Sequence, residues 1–73
     1  MNRWRVRSGD LDAVAEAPTA WEAFLAAVRA SPPKTLGLVA ECESLDGEVD
    51  GDTTWYCSTE RHLRAAGLWG DAA

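Results

Sequence analysis

Residues 1–17 alternate with a period of two on either side of a short turn, and this constrains the fold more than any other feature of the chain. Arg3, Arg5 and Arg7 alternate with Trp4 and Val6. After Ser8-Gly9-Asp10, Leu11, Ala13, Ala15 and Ala17 alternate with Asp12, Val14 and Glu16. Successive side chains of a strand point to opposite faces, so each run reads as a half-buried strand. With Gly9-Asp10 at the centre of a two-residue turn, Arg7 falls opposite Asp12, Val6 opposite Ala13, Trp4 opposite Ala15 and Arg3 opposite Glu16. Opposite charges meet, and apolar residues meet apolar residues.

The remaining punctuation extends the pattern. Thr19-Ala20-Trp21-Glu22 reads as a capping box, with Thr19 accepting the Glu22 amide and Glu22 returning to the Thr19 amide. Trp21, Phe24, Leu25 and Val28 form an apolar stripe at helical spacing, and Ser31-Pro32-Pro33 stops the helix, predicting Ala20 to Ala30. Thr35 to Glu43 is a third strand, with Leu36, Leu38, Ala40 and Cys42 on one face and Val39, Glu41 and Glu43 on the other. Leu45 to Thr53, rich in Asp and Gly, reads as a loop, and Thr54 to Cys57 as a short aromatic strand. Ser58 or Thr59 caps a last helix through Ala66. Gly67 is placed for a left-handed C′ residue, with Leu68 set to touch Leu63, Trp69 to anchor the tail, and Asp71 to Ala73 to fray.

The order β-β-α-β-β-α predicts a single α+β domain of 73 residues: a two-layer sandwich with a four-stranded antiparallel sheet and two helices on one face. Strand order 2-1-3-4 makes every neighbouring pair antiparallel. Order 1-2-3-4 is the alternative and needs a right-handed parallel crossover. Trp4, Val6, Leu36, Leu38, Cys42 and Trp55 are expected under the helices, and Arg3, Arg5, Arg7, Glu41 and Glu43 on the solvated face. A chain this short buries only about 60% of its unfolded surface, so its four tryptophans count as core first.

Charge narrows the function classes. The net charge is −5, yet residues 41–52 hold Glu41, Glu43, Asp46, Glu48, Asp50 and Asp52 with no basic residue. An acidic chain disfavours nucleic-acid and anionic-membrane partners and suits a protein with a basic surface. The arginine row, flanked by Asp12/Glu16 and Glu41/Glu43, reads as cross-strand charge pairing rather than a phosphate track. Asp46, Glu48, Asp50 and Asp52 are weak metal candidates. Their spacing resembles the opening of a calcium loop, but Cys57 stands where the bidentate glutamate belongs. Cys42 and Cys57 face each other if the acidic loop is symmetric, which allows a redox pair, but two reduced cysteines suit a reducing cytoplasm. Cys57 and His62 lack an oxyanion motif or an orienting carboxylate, and His62 reads as solvent-facing.

No catalytic residue, cofactor, signal peptide or membrane span is expected. The reading is a small, non-enzymatic, cytoplasmic protein-interaction module, monomeric or homodimeric. Glu41, Glu43, Asp46, Glu48, Asp50 and Asp52 are its partner-binding residues. The alternatives are a compact acidic inhibitor or nucleic-acid mimic binding a basic protein, and a weakly calcium- or redox-responsive protein.

Overall fold

A computed structural model describes residues 1–31 and 36–67. Strand β1 (Asn2–Ser8) turns through Gly9-Asp10 into β2 (Leu11–Ala17), and helix α1 (Ala20–Ala30) follows. Then come β3 (Val39–Ser44), β4 (Thr54–Ser58) and helix α2 (Thr59–Ala65). The sheet order is β2-β1-β3-β4 with every neighbouring pair antiparallel, as predicted. The first hairpin has the expected register throughout, from Arg7 opposite Asp12 to Arg3 opposite Glu16. Gly9 has φ 58°, the positive value that the first central residue of a type II′ turn requires.

Both helices lie on one face. Phe24 of α1 and Leu63 of α2 join a single core with Trp4, Val6, Ala40 and Cys42. Trp21 of α1 meets His62 of α2 with ring centroids 4.6 Å apart. The buried stripe of α1 is Ala20, Ala23, Phe24, Ala27 and Val28, whereas Trp21 and Leu25 are only half-buried. Three alanines on the inner side let the helix settle close to the sheet around one large side chain. Thr19 caps α1 by accepting the Glu22 N–H (3.3 Å), but the Glu22 carboxylate does not return to Thr19. Ser58 caps α2 through the Arg61 N–H (3.3 Å). At its other end Gly67 has φ 73° and donates to the Arg64 carbonyl (3.1 Å), one bond of a Schellman closure. The expected Leu68 and Trp69 contacts and the fraying of Asp71 to Ala73 lie outside the described residues.

Two expectations are corrected. Strand β3 begins at Val39 rather than Thr35 (itself outside the described residues), and Leu38, expected inside, is 89% exposed. The register Arg7 to Glu41 and Trp4 to Ser44, continued backwards, would set Leu38 against Asp10, where β1 has already turned away. The chain before Val39 has no strand to pair with. It is held instead by Ser8, whose Oγ accepts the Gly37 N–H (3.2 Å) and donates to the Val39 carbonyl (3.1 Å). A Cβ on Gly37 would stand 3.0 Å from the Gly9 nitrogen, so glycine permits that approach.

The second correction concerns the thiols. Cys42 pairs with Trp55 and Cys57 with Ala40, so the cysteines are diagonal neighbours, both free. Diagonal positions stand about 7–8 Å apart, beyond the reach of a disulfide without backbone movement.

Residues 45–53 form the expected loop between β3 and β4, and its tip is a tight turn. Val49 and Asp52 exchange backbone hydrogen bonds (2.8 and 3.1 Å) around Asp50-Gly51, where φ is 53° and 86°. Two consecutive positive φ values define a type I′ turn, for which Asp-Gly is among the favoured sequences. The β3–β4 connection is therefore a second tight hairpin tip, and Val49 packs from it onto the core.

Candidate functional site

The arginine row and the acidic hairpin meet on the uncovered face of the sheet. Arg5 reaches diagonally to Asp12 through two parallel hydrogen bonds, Nε to Oδ1 (3.0 Å) and Nη2 to Oδ2 (2.8 Å). Arg7 pairs with Glu41 (2.5 Å) and stands 3.9 Å from Glu43. Arg3 holds Asp46. Its backbone N–H donates to Oδ2 (2.8 Å), while Nε (3.1 Å) and Nη2 (2.7 Å) donate to Oδ1. These bonds, with the Arg3 side chain contributing most, hold the Asp46 carboxyl below the usual carboxylate range, and Arg5 does the same for Asp12.

The six expected partner-binding carboxylates therefore separate into two groups. Glu41, Glu43 and Asp46 face arginine. Glu48, Asp50 and Asp52 are exposed at the hairpin tip and, among the described residues, make no ion pair. The charge count along the sequence does not show this division, because it depends on Asp46 folding back over the end of β1. Ser44 helps to set that fold by donating its Oγ to the Gly47 carbonyl (2.6 Å).

The calcium-loop resemblance does not suit this geometry. Asp46, the first ligand of the pattern, already accepts three hydrogen bonds, and the chain reverses at Asp50-Gly51 instead of wrapping a centre. Among the described residues no three His, Cys, Asp or Glu side chains are grouped as ligands would be. The thiols are equally ill-suited to nucleophilic work. Burial, with smaller contributions from Cys57 and Glu41, pushes Cys42 up to about 12, and burial also raises Cys57. His62, expected in solvent, is half-buried against Trp21, and its Nδ1 has no hydrogen-bond partner.

Sequence reasoning missed a cleft between α1 and the acidic hairpin. It is half-open, about 210 Å³, and lined among others by Trp4, Trp21, Trp55, Pro18, Val49 and Asp50. The tryptophans were the available signal: Trp4 is core as expected, and Trp21 and Trp55 pack against that core while lining the cleft. Comparison with known proteins adds nothing to this geometry: no protein family, no curated protein and no solved structure matches the chain.

Proposed function

We propose that the chain is a small, non-enzymatic protein-interaction module that presents the β3–β4 hairpin tip to a basic protein surface. One observation carries this reading: Glu48, Asp50 and Asp52 are exposed together on a tight turn, with no described cation against them. The arginines of β1 are spent on Asp12, Glu41 and Asp46, so the tip keeps its field. Such a field steers basic surfaces toward the tip within a screening length of about 8 Å at physiological salt. A nucleic-acid mimic is served less well, because Arg3 and Arg7 interrupt the row of carboxylates such a mimic would present.

The test uses the triple variant Glu48→Gln, Asp50→Asn, Asp52→Asn. Asn adopts the left-handed backbone of position 50 as readily as Asp, so the turn survives the change. In extracts of the native cell the wild type should retain a partner at low salt, release it as salt rises, and lose it in the triple variant. A partner held equally by wild type and variant would overturn the reading.

A further inference from the structure

We infer that the cleft beside the hairpin tip is a binding site for an alkylated ammonium group. Its lining includes three indole rings of fixed orientation, of which Trp21 and Trp55 keep exposed surface. Trp4 is 1% exposed and donates its Nε1 to the Ala17 carbonyl (2.9 Å). Trp55 stands edge-on to Trp4, with centroids 5.2 Å apart and planes at 71°. Trp21 is braced by His62. A cation gains from the negative face of an indole and not from its positive edge, and tryptophan faces attract cations most strongly of all side chains. Asp50 adds a carboxylate to the same lining.

Size and hydrogen-bonding chemistry decide the ligand class. A volume of 210 Å³ falls below the roughly 300–1,000 Å³ of pockets that hold whole drug-sized molecules, so it suits a head group. A guanidinium brings five N–H donors and a primary ammonium three, and each one left unpaired among indoles costs binding. A quaternary ammonium has none. It presents methyl groups to the rings and positive charge to Asp50, and it is weakly hydrated, so little is lost on entering. The site goes beyond the surface reading above, although Asp50 belongs to both.

The test is titration of the full chain with choline chloride, against sodium chloride at matched ionic strength. It is followed by tryptophan fluorescence and by the indole N–H resonances. A saturable change is expected with choline, and little with neohexanol, its uncharged isostere. Asp50→Asn should weaken choline binding about fivefold, the effect of losing one favourable charge contact of about 1 kcal/mol. Trp21→Leu should weaken it at least as much, and Asp50→Asn decides the matter if that variant fails to fold. A trimethyllysine peptide, compared with its unmethylated form, is the second arm. Binding of the methylated peptide makes a partner's side chain the source, and binding of choline alone makes it a free head group. No saturable change with either alkylammonium, equal binding of neohexanol, or an unaffected Asp50→Asn variant would overturn the site. Any of these results would leave the salt-dependent partner test unaffected.

Discussion

Ser8 links more of the molecule than any other polar side chain described. It is 4% exposed, and its Oγ meets the Gly37 N–H, the Val39 carbonyl and the Thr59 hydroxyl (3.2 Å). Together these join the end of β1, the approach to β3 and the start of α2. Ser8→Ala leaves the Thr59 hydroxyl and the Gly37 amide without this partner, and such buried orphans cost about 1–3 kcal/mol. Urea unfolding of the variant should show a loss in that range. Asp46 and Asp12 set the pH response. Their folded pKa values lie below the unfolded value of about 3.9, so their contribution is complete above it and is lost as pH falls through the folded values. The stability difference between wild type and Asp46→Asn should therefore be largest at neutral pH and close as acid protonates the folded Asp46 carboxylate. The arginine row and its acidic flanks were legible in the sequence, but the partner of each arginine was not. Period-two reasoning pairs residues directly across strands, whereas Arg5 reaches diagonally to Asp12 and Arg3 reaches a residue beyond β3.

At the scale of elements, the two hairpins show what a sequence reveals. The β1–β2 pair was readable to the residue because polarity alternates on both strands and only one register matches charge to charge. The β3–β4 connection was readable as a loop but its turn was not, although Asp50-Gly51 is a strong turn signal. Six carboxylates over twelve residues repel one another, and that repulsion argues against a tight turn. Arg3 neutralises the first carboxylate of the turn and Val49 finds the core, so the repulsion is relieved from outside the segment. Gly51→Ala tests the turn cleanly. No atom lies within 4 Å of the added Cβ, so the expected loss of about 1–2 kcal/mol is conformational. Asp50→Asn should leave the thermal midpoint nearly unchanged. The β3 boundary failed for a different reason. Leu36 and Leu38 continue the alternation, but the strand they would pair with has ended, which is a fact of topology rather than of pattern.

The whole molecule is a one-sided sandwich. Both helices cover the tryptophan side of the sheet, and no described element covers the arginine side, where Val14 and Tyr56 stand exposed near the two edges. Between those edges, positive charge runs along β1 with carboxylates beside it, so the face is patterned but nearly balanced. A phosphate backbone gains little from arginines that already hold carboxylates, and the hairpin tip repels it. A labelled DNA duplex should therefore remain unshifted by micromolar protein near physiological salt. A shift that falls with added salt would show that the arginines release their partners. Among the described residues no helix is long and apolar enough to cross a membrane.

The chain contains two Asp-Gly steps, Asp46-Gly47 and Asp50-Gly51, and the fold treats them unequally. An aspartate followed by glycine ages when the next backbone nitrogen attacks its side-chain carbonyl, expelling water and leaving a succinimide that reopens largely as isoaspartate. The Asp46 carboxylate is fixed by three hydrogen bonds from Arg3 and cannot swing toward that nitrogen. Asp50 is exposed, without such a restraint, and lies in the turn that shapes the cleft. Stored protein should accumulate isoaspartate at position 50 well before position 46, as peptide mapping would show. With that extra backbone carbon, the tip would lose its geometry while the sheet beneath it stayed whole.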